Sequence, residues 1–324
     1  MKVLQIVRPG EIELIDLPVP EPGPGQVLVK IEAITTCPHW DMHILGGQQM
    51  LPGLALNYPY TPGQPGHEAC GEIAAVGSGV YDLQVGQRVC VWRDPGHHLP
   101  GCYAEYVVKD THDVLPIPAT GKAEHWAPLE LAMCVSAHIM LAGKLDLLAQ
   151  KRVAVFGLGP AGLLFTQFAA AAGATEVIGI DPLAERRALA LQLGASHAYA
   201  PDSDEALALP PRNQPDSIDT AFDCVGHPAP VQRAMDLASK LVVLFAVQRQ
   251  PYTFQPHHWG RLILAGAQPH TREAAIYARD RIAAGKVTMA PLVTTTLPLS
   301  EYLHGVELLR SQQALKVAFL PGAD

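Results

Sequence analysis

Residues Lys151 to Asp181, KRVAVFGLGPAGLLFTQFAAAAGATEVIGID, decide the architecture. An apolar run stops at glycines 157, 159 and 162, a small-residue helix follows, and a second apolar run closes on an acid. In a dinucleotide-binding unit each part has a task. Gly157 permits the tight turn, Gly159 lets backbone approach a pyrophosphate, and Gly162 lets the helix pack on the sheet, while free N–H groups at the helix N-terminus face phosphate charge. Pro160 stands where the missing N–H costs little. Asp181, 24 residues after Gly157, is placed to accept hydrogen bonds from an adenosine ribose and to repel a 2'-phosphate, which favours NAD over NADP. Arg186 and Arg187 qualify that preference, since either reaches a 2'-phosphate if Asp181 turns away. The glycine pattern alone is weak; its place between two strand-like runs and before an acid makes it specific.

Working outward, 324 residues exceed what one core usually supports, so two domains are expected. A net charge of -8, a pI near 5.9 and no block of Lys or Arg argue against nucleic acid as partner. No long apolar segment follows Met1 and no run resembles a membrane span, so neither secretion nor a membrane is expected, and the expected location is cytoplasmic. Six cysteines, at 37, 70, 90, 102, 134 and 224, are scattered through a large acidic chain and read as thiols or ligands before disulfides. Cys70, Cys90 and Cys224 sit among apolar or small residues and read as core filling.

Before residue 120 the runs QVLVKIEAI, EACGEIAAVG, RVCVW and YAEYVV are separated by Pro/Gly turns, the texture of an irregular antiparallel barrel. Beyond HWAPLELAMCVSAHIMLAG, helical segments alternate with VAVFG, EVIGI, TAFDCVG and LVVLFA, as a doubly wound parallel sheet requires. The expected division is a barrel domain over residues 1–120, joined again by 276–324, and a cofactor domain over 121–275. In the tail, TREAAIYARDRIAAGK and EYLHGVELLRS suit helices, while APLVTTTLPLS and ALKVAFL suit strands. PDSDEALALPPRNQPDS reads as a turn-rich stretch with a short surface helix.

Cys37, His67 and Glu68 fall in TTCPHWDMH and GQPGHEACG, read as loops between strands. Thiolate, imidazole and carboxylate together suit zinc, although neither segment is diagnostic by spacing. Over essentially its whole length the chain resembles the medium-chain zinc-dependent alcohol and polyol dehydrogenases, with GHE in a GroES-like N-terminal domain, GxGxxG in a Rossmann domain and a C-terminal return. That resemblance implies Cys37 and His67 as catalytic zinc ligands and Glu68 beside the metal as alternate ligand or support. It implies a third ligand in ELAMC, either Glu130, the first choice, or Cys134 one helical turn away.

The sequence departs from the family twice. Cys37-Pro38-His39-Trp40-Asp41-Met42-His43 lacks the usual Ser/Thr of the proton relay, so His39 is its expected replacement, with a plain polar loop residue as the alternative. Asp41 would then support a ligand or turn and His43 pass the proton outward. Residues 91–107 hold only Cys102 with His97 and His98 where relatives with a structural zinc carry four cysteines, so one catalytic zinc and no structural zinc are expected, with His97 or His98 lining the substrate entrance. Function on this reading is NAD-dependent, reversible oxidation of an alcohol or polyol to an aldehyde or ketone by a homodimer or homotetramer acting on small molecules. A zinc-free quinone or enone reductase of the same superfamily is the enzymatic alternative. A nucleotide-binding regulatory protein without turnover is the non-enzymatic one.

Overall fold

The apolar runs that flank the glycine turn form neighbouring strands in a computed structural model that describes residues 1–50, 53 and 55–323. The chain divides into two compact units, Ala132–Thr288, and Met1–Leu131 with Met289–Asp324.

In the first of these, the described strands form a parallel sheet in the spatial order His197–Tyr199, Glu176–Ile180, Arg152–Phe156, Ile218–Asp223, Ala238–Leu244, Ile263–Ala265. Numbered along the chain that order is 3-2-1-4-5-6, the Rossmann arrangement, whose reversal point lies beside the strand leading into the glycine turn. Both sheet faces are covered, so the strands read as continuous apolar runs rather than alternating ones. Val153, Ala154, Val155 and Phe156 are all buried, and Phe165 of the following helix stacks on Phe222 with ring centroids 4.4 Å apart. Full burial of one such large side chain stabilises by about 2 kcal/mol.

In the other unit the strands follow the order Val293–Pro298, Lys316–Leu320, Gln26–Thr35, Glu68–Val76, Arg88–Val91, Val114–Pro116, with Tyr106–Asp110 also paired to Gln26–Thr35. Lys2–Arg8 and Glu11–Asp16 form a separate antiparallel pair. The chain's last strand therefore completes the barrel sheet: Ala318 and Phe319 pair antiparallel with Thr35 and Ile34. Helix Tyr302–Arg310 links its two parallel strands, and Tyr302 packs with Tyr103 and Phe319 in the core. This is the GroES-like half of the molecule.

Two sequence expectations change. TTCPHWDMH, expected as a loop, contains helix Pro38–Leu45, with proline at its first position and Cys37 as its cap. Proline's fixed φ starts the helix, and Asp41 accepts the Cys37 N–H at 2.8 Å, meeting a donor the helix start leaves unpaired. By length and composition Ala123–Lys144, 22 residues of mean hydropathy 1.3, does qualify as a membrane span. It is 67% buried within the protein, which marks a core helix.

All six cysteines are free thiols. Cys70 and Cys90 face each other across adjacent strands and are fully buried.

The glycine turn is a tight local constraint. Gly157 has φ +84°, and a Cβ at Gly162 would lie 1.8 Å from the Gly157 carbonyl oxygen. Gly162→Val must therefore push the helix off the strand. The expected result is a loss of about 3 kcal/mol in urea unfolding, with dinucleotide affinity falling in parallel. Unchanged stability would show that the helix does not sit against the turn.

Candidate metal and catalytic centre

Strand Gln26–Thr35 ends two residues before Cys37, helix Pro38–Leu45 begins immediately after Cys37, and strand Glu68–Val76 pairs with the first of these so that Thr35 faces Glu68. This register brings Cys37 to His67 and Glu68. One donor atom from each of Cys37, His67 and Glu68 lies within 4.8 Å of the others.

Each donor is held from behind. The His67 Nδ1–H donates to the Pro65 carbonyl at 2.8 Å, so Nε2 is the ring atom left to serve as a ligand. Burial lowers the His67 pKa to about 4, which keeps the ring neutral and its lone pair available. Burial also raises the enclosed Cys37 thiol well above its ordinary value, reinforced by the negative charges of Glu68, Glu130 and Asp41, with Lys316 as the opposing cation. Three carboxylates around an enclosed thiol create a site that a divalent cation would complete, and a bound cation reverses this and favours thiolate.

Glu130 and Cys134, the two alternatives for the third position, lie in different surroundings. Glu130 Oε2 lies 3.8 Å from His67 Nε2, and both side chains are buried. Cys134 is one turn further along helix Leu129–Lys144, with its sulfur 3.3 Å from His270 Nε2.

Glu68 is fully buried and makes a second contact that sequence reading missed. Its Oε1 accepts a hydrogen bond from Lys316 Nζ at 2.8 Å, while Oε2 lies 2.7 Å from the same Nζ as an ion pair and accepts the Thr35 hydroxyl at 3.0 Å. Burial pushes the Glu68 carboxyl up while Lys316 pulls it down. Lys316 Nζ donates further to the Thr36 carbonyl at 2.5 Å. The sequence signal was slight: one lysine opening an otherwise apolar terminal strand, KVAFL.

Asp41 points into the core. Besides the Cys37 N–H it accepts the hydroxyls of Tyr103 at 2.8 Å and Tyr302 at 2.7 Å. Burial raises its pKa to about 7 against the pull of those three donors. It thereby fixes the start of the helix that carries Cys37. On that helix His39 and His43 stack, ring centroids 4.9 Å apart and planes within 7°, with His43 Nδ1 2.6 Å from the His39 carbonyl. His97 lies beside the centre, its ring 4.4 Å from that of Trp40.

In the Rossmann unit, Gly159 caps helix Pro160–Ala171, and a Cβ built on it would meet no atom within 4 Å, leaving room for a pyrophosphate. Asp181 is 3% exposed and accepts the N–H groups of Leu158 at 2.7 Å and Leu183 at 2.8 Å. The acid thus braces the turn whose ligand it is expected to read. Arg186 Nη1 stands 4.0 Å from it, while Arg187 donates to the carbonyls of Asp181 and Pro182.

Lys316→Met leaves a buried carboxylate without its cation, so chemical denaturation should show a loss of about 3 to 5 kcal/mol. Adding Glu68→Gln should recover a substantial part of that loss. Equal and additive losses in the double-mutant cycle would mean that the pair is not coupled.

Comparison with known proteins agrees with this architecture. Residues 23–119 match the alcohol dehydrogenase GroES-like domain, and residues 160–266 match the zinc-binding dehydrogenase family. The chain is 27% identical to an L-threonine 3-dehydrogenase of Bacillus licheniformis over 99% of each chain. Its fold is similar to a zinc-binding dehydrogenase of Sinorhizobium meliloti bound to NADP, with TM-score 0.84, 27% identity and 99% of each chain covered. It also has the fold of a 2R,3R-butanediol dehydrogenase from Bacillus subtilis, with TM-score 0.81, 22% identity and 99% of each chain covered. The thiol, imidazole and carboxylate set on a GroES-like half, joined to a 3-2-1-4-5-6 Rossmann sheet, is that of a hydride-transfer oxidoreductase, and the chain belongs to the medium-chain dehydrogenase/reductase superfamily.

Proposed function

We propose that the protein is a zinc-dependent, NAD-linked dehydrogenase of small polar secondary alcohols, polyols and hydroxylated metabolites among them. The observation that carries this is the convergence of Cys37, His67 and Glu68, with Glu130 beside His67, on the GroES-like unit. Cys37, His67 and Glu130 would hold zinc, and Glu68 would be its alternate or supporting carboxylate. When bound, zinc supplies Lewis-acid polarisation of the substrate oxygen.

The chain's own residues do the rest. Asp41 fixes the backbone of Cys37, and Lys316 holds Glu68 against the ligand set. His39 takes up the proton that the alcohol releases, and His43 conveys it outward through Nε2, because Nδ1 is committed to the His39 carbonyl. Gly157, Gly159, Pro160 and Gly162 would seat the dinucleotide, and its nicotinamide would supply the hydride chemistry. Asp181 sets the coenzyme preference and Arg186 stands next to it. The relatives named L-threonine 3-dehydrogenase and 2R,3R-butanediol dehydrogenase both act, by their names, on secondary alcohols with a polar neighbouring group. The polar environment of His39 and His97 suits such substrates.

Metal content per chain, measured on protein purified without added metal, should come to about one zinc that is removed together with alcohol oxidation by chelation. Cys37→Ala should lose turnover by about a thousandfold or more across a panel of 2,3-butanediol, L-threonine and polyols. Full activity in the zinc-free protein would overturn the proposal.

Asp181→Ser should raise the NADP to NAD ratio of kcat/KM by about tenfold or more, through loss of carboxylate repulsion from the 2'-phosphate. An unchanged ratio would mean that another group reads the ribose.

A further inference from the structure

We infer that His67, Asp94 and His97 form a second divalent-cation position, alternative to the one at Cys37 and sharing His67 with it. The inference rests on the proposed role of His67 as a metal ligand and extends it.

A donor atom from each of the three residues lies within 4.8 Å of the others, all in the GroES-like unit. His67 and His97 each have Nδ1 engaged elsewhere, His67 with the Pro65 carbonyl at 2.8 Å and His97 with the Tyr60 hydroxyl at 2.8 Å. That leaves Nε2 of both rings directed to the cluster. His97 Nε2 is 3.7 Å from Asp94 Oδ2, too long for a hydrogen bond and a suitable separation for two atoms on one cation.

Asp94 is oriented in turn. Gln64 Nε2 donates to its Oδ2 at 3.2 Å and the Gly96 N–H to its Oδ1 at 3.2 Å. The Asp94 and His97 side chains are 12% and 17% exposed, enclosed enough to be held and open enough to admit further ligands. Two imidazoles and a carboxylate are a harder set than the Cys37 group, suited to borderline and hard divalent ions. Since His67 has one Nε2, the two positions exclude each other: a metal displaced from sulfur has somewhere to rest without leaving the protein.

Cobalt tests this because a thiolate-to-cobalt charge-transfer band reports sulfur ligation independently of turnover. Wild type, Cys37→Ala, Asp94→Asn/His97→Phe and the triple variant would be stripped by chelation and titrated with cobalt(II), with folding checked by circular dichroism. Expected are a thiolate band in wild type, and about one cobalt per chain without that band in Cys37→Ala. The triple variant should bind at least about tenfold more weakly than Cys37→Ala, because even the loss of an outer partner costs that much. Asp94→Asn/His97→Phe alone should keep the thiolate band. No cobalt on Cys37→Ala, or equal affinity with and without Asp94 and His97, overturns the second position. Cobalt binding to wild type without a thiolate band would instead overturn the role of Cys37 and leave this inference standing.

Discussion

A fully buried cation, Lys316, ties the GroES-like half of the protein together. It arrives on the last strand and closes on Glu68 and the Thr36 carbonyl, linking the chain's end to residues next to Cys37 and His67. Two fully buried charges cost several kcal/mol each to desolvate, and their attraction offsets that only when geometry and hydrogen bonds are good. Here both Glu68 oxygens are engaged and Thr35 adds a donor. Such a pair is poor evidence for stability, but it is a demanding positional constraint, because removing either partner strands the other. The terminal strand therefore has to be in register before the carboxylate beside Cys37 and His67 is neutralised.

Asp41 plays the equivalent part for the cysteine. Its carboxylate gathers two tyrosine hydroxyls and the Cys37 N–H, linking helix Pro38–Leu45 to Tyr103 and to Tyr302 of the C-terminal helix. Two buried acids thus carry the geometry of the ligand set without either needing to meet substrate. Both are held by side chains from the last quarter of the chain. A centre built mainly by the first half of the sequence is therefore fixed by residues more than 200 positions away.

The dinucleotide turn has a more local logic. Asp181 braces Leu158 and Leu183 by accepting their N–H groups, so the residue expected to discriminate between coenzymes is also part of the turn's scaffold. Substituting it changes recognition and loop geometry together. Gly157 is constrained by its positive φ and the Val225 side chain and Gly162 by the Gly157 carbonyl, whereas Gly159 borders open space, which separates the glycines that make the turn from the one that clears room for ligand.

Much of this was legible in sequence, for a physical reason. Glycine spacing, the period of apolar runs and a terminal acid are local signals, and a parallel βαβ unit is made from contiguous chain, so the Rossmann half and its glycine turn followed from Lys151–Asp181. The adjacency of His67 and Glu68 is also local, while their meeting with Cys37 came from family likeness rather than spacing. Helix Pro38–Leu45 was missed because a short segment with two histidines and a tryptophan has weak periodicity, and its start is secured by a carboxylate whose other partners are remote. Lys316, Tyr302, Tyr103 and Asp94 carry no motif. The sequence by itself determined the cofactor turn and the kinds of ligand atom available; tertiary structure decided which buried charge faces which, because electrostatic pairing depends on distance in space, and strand register sets that distance between residues far apart in the chain.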